Sequence, residues 1–199
     1  MISFTPPSEA YGAYLFDCDG TLADTMPLHY DAWKRAVQAH GADFDYSVKL
    51  FYSMAGVSVV DTIDRLNKQF SASLDPDAVG ETKKGMYAAM LSDVTPIQPV
   101  VDFCLKLLEQ GEKVAVVSGS TREEVNATLG AIGLSGKFTT MVCQGESARG
   151  KPQPDPFTKA ADILGVAYAN CYVLEDSPHS LEGAKGVGMS GVLIPNAML

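Results

Sequence analysis

Two carboxylates stand two residues apart, directly after a short apolar run. Residues 13–16 are Ala-Tyr-Leu-Phe, and Asp17, Cys18 and Asp19 follow before Gly20. The run predicts a buried strand that ends at the turn-forming glycine. Because side chains alternate along an extended chain, Asp17 and Asp19 should leave the strand on the same side. Two like charges this close need a cation or a shared proton. The pair therefore predicts a divalent-metal site in which one carboxylate is a nucleophile and the other carries a proton.

Two other interpretations use the same residues. Asp and Gly are ordinary turn residues, so a polar turn after a strand is one alternative. A calcium-binding loop requires a Glu at its twelfth position, and counting from Asp17 that position is Leu28. The calcium interpretation is therefore excluded, and the choice between a turn and a catalytic site depends on the rest of the chain.

Three later segments carry polar side chains that could complete such a site. Two follow apolar, strand-like runs at residues 114–117 and 171–174, and one is a proline-rich loop at residues 150–156. The carboxyl ends of parallel strands form one ligand-binding edge, so these groups should lie near Asp17. A phosphate there would meet a hydroxyl, backbone N–H groups and an ammonium, and magnesium would meet hard carboxylate oxygens. The candidates for phosphate are Ser118, Gly119, Ser120 and Lys151, and the candidate metal ligands are Asp17 and Asp176, with Glu175 adjacent in sequence.

The four segments, in this order, resemble the four motifs of the haloacid dehalogenase-like hydrolase superfamily. The resemblance covers nearly the whole chain, from Tyr14 to about Ile194. The first motif is matched by residues 17–22, the second by Ser118, the third by Lys151 and the fourth by residues 175–176. The combination of all four is far more specific than the first motif alone.

The resemblance implies a role for each carboxylate and a magnesium cofactor. Asp17 is the implied nucleophile and metal ligand, and Asp19 is the implied general acid and base that also offers a backbone carbonyl to the metal. Asp176 is an implied metal ligand, and Glu175 acts nearby or through water. Dehalogenating relatives typically lack an Asp at the position of Asp19, whereas the leaving group of a phosphate ester needs the proton that Asp19 can deliver. Phosphoryl transfer is therefore the expected reaction.

The composition fits an enzyme of small metabolites. The chain has 199 residues, of which 46% are hydrophobic, enough for one core domain and a modest insertion. A net charge of −9 argues against nucleic acid and anionic membranes as partners. The four cysteines have no metal-finger or redox spacing, and neither an apolar span of about 20 residues nor a signal-peptide core is found. We expect buried free thiols in a cytoplasmic protein that is a monomer or weak dimer.

The predicted elements divide the chain into two parts. Residues 28–91 have helical spacing throughout, whereas helices and apolar strands alternate from residue 100 onward. The alternation predicts an α/β protein with a doubly wound, Rossmann-like parallel sheet formed by residues 1–24 and 93–199. Residues 25–92 are the predicted all-helical insertion, and the two connections near residues 23–27 and 91–99 form a natural hinge.

The insertion resembles the small helical cap of the superfamily's sugar-phosphate branch, which includes beta-phosphoglucomutase. Thr25, His29 and Trp33 step by four residues and share one helix face, and the branch places a His and a Trp near the active-site opening. Gly56 belongs to a Gly-Val-Ser sequence that resembles the cap loop over the substrate, and Lys83 matches a cap lysine that faces it. The alternatives are a His-Trp pair that only packs the cap onto the core and a Lys83 on a solvated helix face.

One departure from that branch bears on the reaction. The mutase carries an Arg directly after the Gly-Val-Ser sequence, where it holds the second phosphate, whereas this chain has Val59. Losing that bidentate anchor favours hydrolysis over isomerisation. A phosphatase of small phosphorylated metabolites, sugar phosphates above all, is therefore expected, and a phosphosugar mutase remains the alternative. A non-catalytic phosphate-binding module is less favoured because no motif residue is missing, and a P-loop kinase is disfavoured because residues 150–152 are Gly-Lys-Pro.

Overall fold

A computed structural model describes residues 4–54 and 57–195. Within these ranges there are eight α-helices and five strands, with two short 3₁₀ turns at Leu91–Asp93 and Tyr168–Asn170; four helices follow the first strand, and helices and strands alternate from residue 98 onward. The strands are β1 (Ala13–Phe16), β2 (Val114–Val117), β3 (Thr140–Val142), β4 (Cys171–Glu175) and β5 (Ser190–Leu193). The helices are α1 (Met26–Ala39), α2 (Val48–Ser53), α3 (Val59–Phe70), α4 (Pro76–Ala89), α5 (Gln98–Glu109), α6 (Arg122–Ala131), α7 (Asp155–Leu164) and α8 (Pro178–Lys185).

The strands form one parallel sheet in the order β3-β2-β1-β4-β5. The chain builds the sheet outward from β1 to β3, then crosses back to β4 and continues to β5. The strand order therefore reverses at β1, which makes the sheet doubly wound, as predicted. A ligand-binding crevice is expected beyond the carboxyl ends of the central strands, and Asp17 directly follows one of them.

Alternating side chains of β1 pack into two different hydrophobic cores, one on each face of the sheet. Tyr14 and Phe16 pack with residues of α5 and α6 on one face of the sheet. Ala13 and Leu15 pack with residues of α7 and α8 on the other face. All four residues are buried because a central parallel strand is covered on both sides. The strand is consequently rigid, and the polar groups at its end are held at a fixed position.

Helices α1 to α4 pack around a third hydrophobic cluster, which is distinct from the two cores of the sheet. Each helix begins where the sequence offers a start signal. Proline occupies the first turn of α1 and α4, and Ser47, Ser58 and Asp75 accept the N-cap hydrogen bonds of α2, α3 and α4. The Ser47 cap fixes the start of α2 at Val48. No helix in the described ranges is long and apolar enough to cross a bilayer.

Helix α8 approaches the loop before α7 so closely that one position must lack a side chain. A Cβ added at Gly183 would meet the backbone carbonyl oxygen of Pro152, the residue after Lys151. Backbone atoms cannot move aside as a flexible side chain can. Gly183 therefore allows α8 and the lysine-bearing loop to pack together.

We expect Gly183→Ala to destabilise the protein by about 1–3 kcal/mol through overpacking. Gly130→Ala is the matched control, because Gly130 lies in α6 and a Cβ there would meet nothing within 4 Å. Replacing this helical glycine should stabilise the protein by about 0.5–1 kcal/mol. Urea unfolding of both variants measures the two free energies, and a stabilised Gly183→Ala variant would contradict the close approach.

Candidate active site

The first carboxylate is fixed at the edge of the sheet by backbone hydrogen bonding. The Asp17 N–H donates to the Leu174 carbonyl at 2.9 Å, which continues the pairing of β1 with β4. Cys18 points into the hydrophobic core, opposite to the carboxylates, as the alternation predicts. Gly20 then turns the chain with φ +80°, and a Cβ there would meet the Asp176 carboxylate. The turn therefore needs a glycine both for its backbone angle and for the close approach of Asp176.

A buried lysine joins two carboxylates at this edge. The Lys151 Nζ donates to Asp17 Oδ1 at 2.7 Å and to Glu175 Oε1 at 2.6 Å. The ammonium also lies 5.0 Å from the centroid of the Phe157 ring. Desolvation alone would lower the pKa of Lys151, but the charges of Asp17 and Glu175 outweigh it and hold the pKa above its ordinary value. The lysine therefore remains charged and neutralises part of the acidic cluster.

The pKa of the Asp17 carboxyl lies far above its ordinary value. Burial raises the pKa of Asp17 to about 8, although the Lys151 ammonium lowers it, and the charges of Glu175 and Asp19 add to the rise. The cluster thus holds more negative charge than Lys151 alone can balance. A second cation beside Asp17 would lower the pKa of this carboxyl and leave it ionised.

Three carboxylates lie close enough together to hold a divalent cation. One oxygen from each of Asp17, Glu175 and Asp176 lies within 4.8 Å of the others. Glu175 has both oxygens engaged, because Oε1 accepts from Lys151 and Oε2 accepts from the Ser177 N–H at 2.7 Å. Oxygen-only donors with an excess negative charge suit a hard cation such as magnesium.

Asp19 lies in a different environment from Asp17. Its Oδ1 accepts from the Thr25 hydroxyl at 2.8 Å and lies 3.1 Å from His29 Nε2, and its Oδ2 accepts from the Ser120 hydroxyl at 2.8 Å. Burial acts to raise the pKa of Asp19, but the charge of His29 and the three hydrogen bonds outweigh it and lower the pKa. Two carboxyls at the end of one strand therefore have opposite shifts, the pattern expected where a pair divides its chemical roles.

The turn after β2 presents its groups to the same edge. The Ser118 N–H donates to the Val142 carbonyl at 2.9 Å, and the Ser118 Oγ accepts from the Ser120 N–H at 3.0 Å. The Ser120 N–H, predicted as a phosphate donor, is thus engaged within its own turn. The Ser120 hydroxyl instead donates to Asp19, a contact that sequence spacing does not reveal.

A cavity of about 470 Å³ extends from the sheet edge towards helices α1, α3 and α4. Of the residues predicted around the substrate, His29, Trp33 and Lys83 line it, whereas Thr25 contacts Asp19 directly and Gly56 lies outside the described residues. Ser118 lines a neighbouring cavity of about 360 Å³ that also reaches Lys151. From the sheet edge, the larger cavity is lined by Asp17, Asp19, Gly119, Ser120, Lys151, Glu175 and Asp176.

Lys83 is buried rather than on a solvated helix face, so that alternative is wrong. Its Nζ donates to Glu124 Oε1 at 3.2 Å across the boundary between α4 and α6. Glu124 also closes a capping box with Thr121 at the start of α6. The Thr-x-x-Glu spacing is a readable helix-start signal in the sequence, but the partner on α4 is not, since it depends on how the two helices meet.

Comparisons with known proteins find a family and several similar sequences. The family described as haloacid dehalogenase-like hydrolase matches residues 14–194. The chain is 31% identical over 185 residues to the fructose-1-phosphate phosphatase YqaB of Escherichia coli (strain K12), covering 92% of this chain and 96% of that protein. It is 25% identical over 187 residues to the beta-phosphoglucomutase of Bacillus subtilis (strain 168), covering 90% and 81% respectively.

A solved structure has a similar fold. The structure of CbbY from Rhodobacter sphaeroides in complex with xylulose-(1,5)bisphosphate superposes with a TM-score of 0.83, at 24% identity, covering 93% of this chain and 86% of that chain. The α/β fold class predicted from the sequence is thereby confirmed.

Proposed function

Since this chain belongs to the haloacid dehalogenase-like hydrolase family, we propose that it is a magnesium-dependent phosphatase of small phosphate monoesters. The proposal rests above all on the opposite environments of Asp17 and Asp19 at one end of a cavity of about 470 Å³. A buried carboxyl paired with Lys151 suits a nucleophile, and a second carboxyl held by three hydrogen bonds suits a proton carrier.

The proposed metal ligands are the side chains of Asp17 and Asp176 and the backbone carbonyl of Asp19, with Glu175 nearby or acting through water. Magnesium would supply positive charge that offsets the charge of the transferring phosphoryl group. Both oxygens of Glu175 accept hydrogen bonds, from Lys151 and from the Ser177 N–H, which suits a role through water.

The proposed reaction has two steps on Asp17. A carboxylate oxygen of Asp17 attacks the phosphorus, the bond from phosphorus to the leaving oxygen breaks, and Asp19 gives that oxygen a proton. Asp19 then takes a proton from a water molecule that attacks the phosphorus of the aspartyl phosphate, which releases phosphate and restores Asp17. Ser118, Lys151 and the Gly119 N–H would hold the phosphoryl oxygens, since the Ser120 N–H already donates to the Ser118 Oγ.

The pKa of Asp19 must rise when substrate binds, because a lowered pKa disfavours the protonated form that the first step needs and makes the carboxylate a weaker base for the second. The negative charge of a phosphate arriving beside Asp19 raises its pKa, which favours the protonated form that the first step needs. Thr25, His29 and Ser120 hold the carboxylate in one orientation.

The proposed substrates are sugar phosphates. Two similar proteins are named a fructose-1-phosphate phosphatase and a beta-phosphoglucomutase. Residues 25–92 are proposed to act as a cap over the cavity, with His29, Trp33 and Lys83 on the leaving-group side. The net charge of −9 supports a small phosphorylated metabolite rather than nucleic acid or a membrane as partner. We propose a cytoplasmic monomer or weak dimer.

A phosphosugar mutase is the second candidate, and the similarity to a beta-phosphoglucomutase favours it. A mutase must hold a bisphosphate in two orientations. Val59, where the mutase branch has an Arg, is the first residue of α3 and lines the cavity together with Val60. Neither side chain can bind a phosphate, so the apolar wall favours hydrolysis.

The nucleophile is tested by Asp17→Asn with Asp64→Asn as control. The amide cannot form an aspartyl phosphate, so phosphate release from 4-nitrophenyl phosphate with magnesium should fall by at least about 10³-fold. Asp64 is an exposed residue of α3, and its replacement should leave activity unchanged. An Asp17→Asn variant that retains more than a few per cent of activity would remove Asp17 from its proposed role.

The metal site is tested by titrating activity against magnesium in Asp176→Ala and Glu175→Gln. The half-maximal magnesium concentration should rise at least about tenfold for Asp176→Ala, because a direct carboxylate ligand is lost. Glu175→Gln should shift it much less, since the amide still accepts the Ser177 N–H. Equal shifts in the two variants would mean that both carboxylates bind the ion directly.

Hydrolysis is distinguished from isomerisation by supplying β-glucose 1-phosphate with magnesium. Free phosphate should form, and no glucose 6-phosphate should accumulate. Val59→Arg should bind sugar bisphosphates more tightly by about 1–3 kcal/mol if the guanidinium reaches the second phosphate, with Val59→Gln as the uncharged control. Glucose 6-phosphate forming faster than free phosphate in the unmodified protein would establish the mutase instead.

A further inference from the structure

Tyr87 is a buried aromatic residue in the last turn of α4. Its ring stacks on the imidazole of His29, with the ring centroids 4.0 Å apart and the planes 11° from parallel. Such a face-to-face contact leaves the imidazole little freedom to tilt. Tyr87 is not one of the residues that line the 470 Å³ cavity, so it acts on the site through its neighbours.

The imidazole that Tyr87 covers reaches the proposed proton carrier. His29 Nε2 lies 3.1 Å from Asp19 Oδ1, and the His29 side chain is only 8% exposed. The direction of this contact depends on the plane of the ring, because the polar hydrogen or lone pair of Nε2 lies in that plane. A tilt of the imidazole would therefore weaken the bond to Asp19.

Tyr87 is in turn held against the sheet domain by its hydroxyl. The Tyr87 Oη lies 2.8 Å from the Thr128 Oγ1 of α6, and both residues are buried. The Lys83 ammonium lies 5.3 Å from the Tyr87 ring centroid and pairs with Glu124 of α6. The hydroxyl thus links the ring to α6 directly, and Lys83 links it to α6 indirectly through Glu124.

We propose that Tyr87 is a positioning residue for proton transfer, which holds His29 in the plane that directs Nε2 at Asp19 and ties this geometry to α6. The inference rests on the proposed function, because it concerns the acid and base of that reaction. The stacked ring has the main effect, since it contacts His29 directly. The hydroxyl anchors the ring, and its effect on proton transfer is smaller.

The geometry is tested by NMR of the histidine rings in the full chain. The protein has three histidines, so the ring resonances are few and assignable by a His29→Gln variant. Stacking under Tyr87 should move the His29 ring protons upfield, and Tyr87→Leu should abolish that shift while Tyr87→Phe keeps it. Unchanged His29 resonances in Tyr87→Leu would overturn the proposal, and this measurement needs no activity.

The consequence for catalysis is tested with two kinds of leaving group. A sugar alkoxide needs a proton to leave, whereas 4-nitrophenolate does not. With the faster of fructose 1-phosphate and β-glucose 1-phosphate, Tyr87→Leu should lower kcat by about 10- to 100-fold, a partial loss of the roughly 10²- to 10⁴-fold that general acid–base catalysis contributes, with KM within twofold. In Tyr87→Leu, the rate of the pre-steady-state burst of 4-nitrophenolate from 4-nitrophenyl phosphate should stay within twofold of the wild-type rate. Tyr87→Phe should retain at least half of the wild-type kcat on the sugar phosphate.

Phe70→Leu is the matched control for removing a stacked ring. Phe70 stacks on Phe44 at 4.1 Å and 8° in the helical part of the chain and does not line the cavity. Its replacement should leave the kinetics on both substrates unchanged. An equal loss on both substrates in Tyr87→Leu would mean a merely structural role and would overturn the proposal, as would no loss on either.

The design separates failure of this inference from failure of the proposed function. A wild-type protein that releases phosphate from no substrate disproves the phosphatase and with it any role of Tyr87 in proton transfer, whatever the NMR result. An active wild type with equal effects on the two leaving groups disproves only the role of Tyr87. If Tyr87→Leu does not fold, Tyr87→Met replaces it, because the flexible thioether fills the space of the ring without its plane, and the same criteria apply.

Discussion

The ion pairs of Lys151 with Asp17 and Glu175 are the interaction on which the site depends. The parallel sheet brings carboxylates from β1 and β4 to one edge, where burial alone would force them to take up protons. The ammonium, 2.7 Å and 2.6 Å from its two partners, compensates part of that charge. Removing one member of such a buried group leaves the others uncompensated. The loop that carries Lys151 must therefore be fixed in position. Gly183 allows α8 to pack directly against this loop because it has no side chain.

The surroundings of Asp17 stabilise its negative charge less well than the surroundings of Asp19 do. Asp17 shares its lysine with Glu175 and has a raised pKa, so it gains from a further cation. Asp19, two residues away, is contacted by the imidazole of His29 and by two hydroxyls, none of which it shares with Asp17, and its pKa is lowered. The alternation of β1 supplies two carboxyls on one side, and the surrounding helices make them chemically different. One short strand thereby provides both a metal-dependent nucleophile and a group that exchanges protons.

The sequence predicts the groups at the sheet edge better than the contacts between helices. The family and the α/β fold are confirmed, because apolar strands followed by polar residues have few structural alternatives. The roles of the site residues stay predictions. The bonds of Ser120 to Asp19 and of Lys83 to Glu124 were missed because they join residues 101 and 41 positions apart. Helical periodicity indicates which face of α4 is buried, but it does not indicate that α6 covers it.

Those unpredicted contacts connect the helical part of the chain to the proton carrier. Thr25 and His29 of the helical part bond to Asp19, while Lys83 and Tyr87 of α4 bond to Glu124 and Thr128 of α6. If residues 25–92 move as a cap, as proposed, any opening that separates α4 from α6 breaks the contacts of Lys83 and Tyr87 with α6. The Tyr87 ring that stacks on His29 then loses its anchor. Proton transfer then depends on the closed arrangement, in which bulk water is excluded. The same few hydrogen bonds would thus link cap closure to the competence of Asp19, and a substrate too large for the closed cavity would be hydrolysed poorly even if its phosphate bound well.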